Sequence, residues 1–169
     1  MHAKVIFIDD EPNVLEGLKQ SLRRTDYTVL TAQGPDEALA LLQREPVDVV
    51  VCDYLMPGMS GLELLGLIRD RMPDAMRIVL TGHADTAAAV RAINEGEIYR
   101  FLVKPCDRTE LLVTLHLACE RLAVERENRL LLSLVRTRPE LMAQFEEARA
   151  AHDRARRATE ADAARKGSG

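Results

Sequence analysis

Short apolar runs alternate with stretches of helical period along the first three-quarters of the chain. Four runs stand out: Val5-Ile6-Phe7-Ile8, Val49-Val50-Val51-Cys52, Ile78-Val79-Leu80 and Phe101-Leu102-Val103. Runs this short and this continuous predict strands covered on both faces. The pattern predicts strands over 4–9, 27–31, 47–52, 77–81 and 98–103. Between them, apolar residues recur at helical spacing. Val14, Leu15, Leu18 and Leu22 predict a helix from Pro12 to about Arg24, with Asp10 as its cap. Gly34-Pro35-Asp36 opens a second helix with Ala38, Leu41 and Leu42 inward, and Pro46 ends it. Leu62, Leu65 and Ile68 mark a third, which starts at Gly61 and stops before Pro73. Asp85 or Thr86 starts a fourth, with Gly96 as a C-terminal glycine stop, and Asp107 caps the fifth.

Five βα repeats of this kind predict an α/β fold, a doubly wound, five-stranded parallel sheet with helices on both faces. Strand order is not legible from the pattern. In such sheets, side chains at the carboxyl ends of the strands meet in one crevice. Those ends carry Asp9-Asp10, Asp53, Thr81 and Lys104-Pro105. Three carboxylates that close repel one another unless a cation lies among them. Oxygen ligands without His or Cys favour Mg²⁺, Mn²⁺ or Ca²⁺, and few protein ligands with room for water favour Mg²⁺. An ammonium and a hydroxyl opposite the acids suit the outer oxygens of a phosphoryl group, with Asp53 as a candidate nucleophile.

From Asp107 no Gly or Pro interrupts the chain until Pro139. That predicts a helix of some thirty residues against a mean of about 11–12. Leu117, Val124 and Leu131 fall seven apart, but Arg121 and Asn128 break the neighbouring stripe. A dimer seam and a helix that merely frays are both open. Residues 139–169 are rich in Ala, Glu and Arg, and their apolar positions stop after Phe145. The expected division is 1–125 as the domain, 126–138 as continuation of the last helix, and 139–169 as a charged helical or disordered tail.

Composition narrows the class. The 169 residues are 47% apolar but only 4% aromatic, so the core is aliphatic. Through Cys119 there are 12 basic and 18 acidic residues, and after it 11 and 9. Neither segment has the basic excess of a nucleic-acid module. Cys52, Cys106 and Cys119 form no C-x-x-C pair, which speaks against zinc, redox and disulfide frameworks. No run approaches the ~18 apolar residues of a membrane span, and the first strand meets Asp9-Asp10 too soon for a signal peptide. A cytoplasmic protein without membrane or direct nucleic-acid partners is expected.

The stretches VIFIDDEPNV (5–14), VVVCDYLMPGMSGLELL (49–65), IVLTGHA (78–84) and FLVKP (101–105) resemble the receiver domain of bacterial two-component response regulators. The likeness covers about residues 3–125, with five family positions in order. It implies a flavodoxin-like fold, to which the uninterrupted run after Asp107 adds an extended C-terminal helix. It implies that Asp53 accepts a phosphoryl group from a histidine kinase or a small acyl phosphate. Asp10 and Asp53 would bind Mg²⁺ directly, with the Leu55 backbone carbonyl as third ligand, and Asp9 would act through a metal-bound water. Thr81 and Lys104 would contact phosphoryl oxygens, and backbone N–H groups of Leu55 and Gly82 would complete the cradle. Lys104-Pro105 would be a cis peptide.

Thr81 and Phe101 would form the switch. Phe101 stands where the family often has Tyr; Tyr99, two residues earlier, is expected to point the same way. Phosphorylation would shift the face made by the fourth helix, fifth strand and fifth helix (α4 over 86–95, β5 over 98–103, α5 over 107–121). Homodimers through that α4–β5–α5 face or through the C-terminal helix are both open. The stretch Asn94–Phe101 is similar to receivers attached to HD-GYP phosphodiesterases and enhancer-binding regulators, whose own output motifs are absent here. Such a domain would catalyse only its own phosphorylation and dephosphorylation.

Two other readings compete. An aspartyl-nucleophile phosphatase of the haloacid-dehalogenase kind would place D-x-D-x-[TV] after the first strand, whereas this chain has Asp9-Asp10-Glu11-Pro12. A phosphorylation-independent scaffold would bind its partner through the long helix alone.

Overall fold

In the computed structural model, residues 3–82, 86–94 and 97–137 are described, together with 140, 143–144, 147–151 and 154. The elements are β1 Lys4–Ile8, α1 Pro12–Ser21, β2 Thr28–Ala32, α2 Pro35–Leu42, β3 Val49–Asp53, α3 Gly61–Arg71, β4 Met76–Thr81, α4 Thr86–Asn94, β5 Arg100–Val103 and α5 Arg108–Thr137. All strand pairs are parallel, in the order β2-β1-β3-β4-β5. The order reverses between β1 and β3, which opens a crevice at their carboxyl ends.

The two-residue period of each strand sorts the core into two layers. Val5, Phe7, Val49, Val51, Ile78 and Leu80 pack with α1 and α5 through Leu15, Leu18, Leu111 and Leu115. Ile6, Ile8, Val50, Cys52 and Val79 face Ala38 of α2, Leu64, Leu65 and Ile68 of α3, and Ala92 of α4. Val5–Ile8 and Val49–Cys52 are fully buried. Burial on both faces is why these strands read as continuous apolar runs; each such side chain stabilises the fold by about 1.5–3 kcal/mol.

Local chemistry fixes where helices start. Pro12 and Pro35 stand in the first turns of α1 and α2. Ser60 accepts from the Glu63 N–H while the Glu63 carboxylate accepts from the Ser60 N–H, a reciprocal capping box. Asp107 accepts from the N–H groups of Thr109 and Glu110 at 2.7 and 3.3 Å and so caps α5.

Several expectations need correction. The residue before α1 is Glu11, with no side-chain cap; Asp10 does not cap it. Helix α1 ends at Ser21 rather than near Arg24, since Leu22 and Arg23 donate to Lys19 and Gln20 in a tightened last turn. Strand β5 starts at Arg100, not Ile98. That late start reverses Tyr99: it packs with the α1/α5 layer while Phe101 packs with the other. Tyr99 lies at a bend before the strand, so the two-residue alternation does not reach it. The expected Gly96 stop, the Asp85 start of the fourth helix and Phe145 lie outside the described residues.

The chain divides into two compact units, 1–124 and 125–169. In the second, the continuation of α5 exposes Leu130, Leu131, Leu132 and Leu134. Among the described residues no helix is long and apolar enough to cross a membrane.

Candidate functional site

Strand β1 ends at Ile8 and delivers Asp9 and Asp10; Asp53 is the last residue of β3. One carboxylate oxygen from each of the three lies within 4.8 Å of the others. Asp9 is fully buried, Asp53 is 7% exposed, and Asp10 is open to solvent. Asp9 is held on both oxygens. Its Oδ1 accepts the Glu11 N–H at 2.9 Å, and its Oδ2 accepts Lys104 Nζ at 2.7 Å. The same ammonium stands 2.7 Å from Asp53 Oδ1. Lys104 comes from the β5–α5 loop, where the Lys104–Pro105 bond is cis and Lys104 N–H donates to Thr81 O at 2.9 Å.

Charge and burial oppose each other here. Burial pushes the Asp53 carboxyl above the ordinary value of 3.8 and the neighbouring Asp9 charge adds to it, against the pull of Lys104. Burial disfavours the Lys104 ammonium, but its bonds to Asp53 and Asp9 outweigh that and raise its pKa above 10.5.

A cleft of about 350 Å³ opens onto the acids, lined by Asp10, Glu11, Asp53, Tyr54, Leu55, Gly82 and Lys104. Leu55 is 63% exposed although large and apolar. Thr81 is not in the lining: it is fully buried and its hydroxyl donates to the Gly82 carbonyl at 3.0 Å. Phe101 is half-buried one strand away, with Val79 as its register partner. So the acids and the lysine that the sequence singles out converge, Leu55 and Gly82 join them, and the Thr81 hydroxyl waits behind the wall. Glu11 and Tyr54 also line the cleft; they lie on the loops just beyond the strand ends, where strand position alone does not mark them.

Gly61 is a further supporting position. Its N–H donates to the Tyr54 carbonyl at 2.8 Å, and a Cβ at this residue would run into the Asp53 backbone carbonyl and lie 3.1 Å from the Tyr54 Cα. Helix α3 can therefore start hard against the Asp53 strand end only with glycine there. Cys52 and Cys119 are buried; burial also pushes the half-buried Cys106 thiol up to about 11, aided by Glu110 and Asp107. None is an activated thiol.

The model of the response regulator receiver domain matches residues 5–116. This chain belongs to the response regulator receiver family. Among curated relatives, the hydrogenase transcriptional regulatory protein HoxA of Cupriavidus necator is 39% identical over 118 residues, 70% of this chain and 24% of that protein. The transcriptional regulatory protein GlrR of Escherichia coli is 33% identical over 147 residues, 87% of this chain and 33% of its own. The chain thus spans a quarter to a third of the length of these relatives. Among solved structures, the receiver domain of an HD domain-containing protein from Pseudomonas fluorescens is 40% identical with a TM-score of 0.69, covering 74% of this chain and 92% of that one. A receiver domain from Clostridium thermocellum is 34% identical with a TM-score of 0.68, over 72% and 98%. The fold is the flavodoxin-like α/β arrangement of these receivers, and the protein is a two-component signalling receiver.

Proposed function

We propose that Asp53 is the phosphoacceptor and that this receiver switches when a histidine kinase, or a small acyl phosphate, transfers a phosphoryl group to it. The observation that carries the reading is the Asp9–Asp10–Asp53 cluster with Lys104 2.7 Å from two of its members. An Asp53 oxygen attacks phosphorus, the P–N bond to the kinase imidazole breaks, and its electron pair stays on the imidazole. Water later attacks the same phosphorus and returns the carboxylate. On this reading the domain acts on no other substrate.

Hard oxygen donors within 4.8 Å of one another fit Mg²⁺. Asp10, Asp53 and the Leu55 carbonyl would hold it directly, and Asp9, with both oxygens engaged, would act through water. When bound, Mg²⁺ supplies positive charge to phosphoryl oxygens. Lys104 would move from Asp53 Oδ1 to one of those oxygens, and the N–H groups of Leu55 and Gly82 would accommodate others. Thr81 would exchange its bond to Gly82 for a phosphoryl oxygen, and the half-buried Phe101 would follow inward.

The α4–β5–α5 face then shifts between two populations. On this reading 126–138 would serve as a linker and 139–169 as a charged tail. The exposed Leu130–Leu132 and Leu134 support a homodimer through the helix. The relatives' lengths support a longer regulator with an output domain, which on this reading works in the cytoplasm. Beryllofluoride with Mg²⁺, followed by mass in solution, tests pocket and output together. Binding with a change of mass is expected. Wild-type labelling of Asp53→Asn by acetyl phosphate would overturn the phosphoacceptor assignment.

A further inference from the structure

Helix α1 ends with an unusual acceptor. In a continuing helix the Thr25 N–H would serve the Ser21 carbonyl, but it goes to Leu22, and the Thr25 hydroxyl goes there too. The Ser21 carbonyl instead accepts Arg108 Nε at 3.0 Å, across 87 residues of sequence. Arg108 is the first residue of α5. Its cation also meets the negative end of the α1 dipole.

The bond has a mechanical setting. A groove of about 550 Å³ runs between α1, through Val14, Gly17 and Ser21, and the Lys104–Cys106 loop. Ser21 and Arg108 tie its two walls together. Only three residues separate Lys104 from Arg108. Upstream, Lys104 N–H is fixed on Thr81 O, and downstream Asp107 caps α5. The loop that carries the ammonium is therefore tied at both ends, and Arg108 is the tie that reaches a different helix.

We infer that Arg108 is a positioning residue for Lys104, bracing the β5–α5 loop against the end of α1 so that the ammonium stays on Asp53 and Asp9. This rests on the reading of Asp53 as phosphoacceptor with Lys104 as its cationic partner. The strut needs an N–H donor at this place more than a charge. Glutamine carries its amide nitrogen as many bonds from Cα as Arg Nε, so Arg108→Gln keeps the donor and removes the cation.

The test is single-turnover labelling by acetyl phosphate with Mg²⁺, with the beryllofluoride binding midpoint measured in parallel. A misplacement of about 1 Å costs up to about 10²-fold in rate. Arg108→Ala is expected to slow labelling about tenfold and weaken beryllofluoride binding, with Arg108→Gln close to wild type. In a Lys104→Ala background, Arg108→Ala should have no further effect on the beryllofluoride midpoint, because the two act as a unit. Wild-type behaviour of Arg108→Ala overturns the inference. So does equal loss in the Ala and Gln variants, or an unchanged effect of Arg108→Ala without Lys104. Failure of the wild-type protein itself to be labelled would sink the phosphoacceptor reading instead.

Discussion

Lys104 donates to Asp53 Oδ1 at 2.7 Å with the same ammonium that holds Asp9 Oδ2 at 2.7 Å. One cation thus offsets two largely buried carboxylates that would otherwise repel each other. Any divalent cation entering the cluster meets that ammonium as a like charge. Lys104→Ala should therefore bind Mg²⁺ more tightly, by about tenfold for a like-charge contact of only ~1.4 kcal/mol. Isothermal titration on the two proteins measures it. Weaker Mg²⁺ binding by the variant would show that the lysine does not face the metal site.

The same pair sets the direction of a pH effect. Lys104 has a folded pKa above its ordinary 10.5. Its contribution to stability is complete below 10.5 and is lost as pH rises through the raised folded value. Wild type should lose stability on the alkaline side in a limb that Lys104→Ala lacks. Urea midpoints between pH 8 and 12 compare the two. Parallel curves would mean that Lys104 titrates alike in folded and unfolded chains.

Gly61 carries a packing constraint into the chemistry. A Cβ there meets the Asp53 carbonyl, which is backbone and cannot rotate away. Gly61→Ala must push α3 off the end of β3. Overpacking of this kind costs about 1–3 kcal/mol, and here the displaced atoms belong to Asp53, the proposed phosphoacceptor. Lower stability together with slower Asp53 labelling is expected, read from a urea melt and a phosphorylation time course. A variant with full stability and full labelling would contradict the close approach.

What the sequence makes legible follows from how each feature is encoded. Val5–Ile8 and Val49–Cys52 announce themselves because both faces are buried, and the strand-end position then delivers Asp9, Asp10 and Asp53 to one crevice. Strand order is not in the pattern, since β2 pairs with β1 through backbone bonds that any residue makes. Tyr99 escapes a period-2 argument, which applies only inside a strand, because β5 begins at Arg100. The Ser60–Glu63 capping box does have a sequence signal, S-x-x-E ahead of an apolar run. Arg108 has none: its acceptor is a carbonyl 87 residues away.

Thr114 offers a prediction on stability. It faces the core of α5 at 1% exposure, and among the described residues its hydroxyl has no hydrogen-bond partner. Leaving a buried hydroxyl unpaired costs about 1–3 kcal/mol, and valine fills almost the same volume without one. Thr114→Val is expected to raise the urea midpoint at unchanged slope. A lowered midpoint would reveal a partner for the hydroxyl in solution.

Leu55 bears on how long the signal lasts. It is 63% exposed, yet lines a cleft whose other side chains are mostly polar. If Asp53 carries the phosphoryl group as proposed, an apolar side chain beside it would exclude the water that must attack in line with the Asp53–phosphorus bond. Asparagine at this place keeps the backbone carbonyl and N–H and adds groups that can hold such a water. Orienting a reactant in this way contributes several kcal/mol when it is complete, and an exposed side chain achieves a small part of that. Leu55→Asn should therefore hydrolyse its phosphoryl group about threefold to tenfold faster, at an unchanged Mg²⁺ midpoint. Phosphate release after rapid removal of the donor measures the rate. A rate equal to wild type would mean that access of water is governed from another side of the cleft.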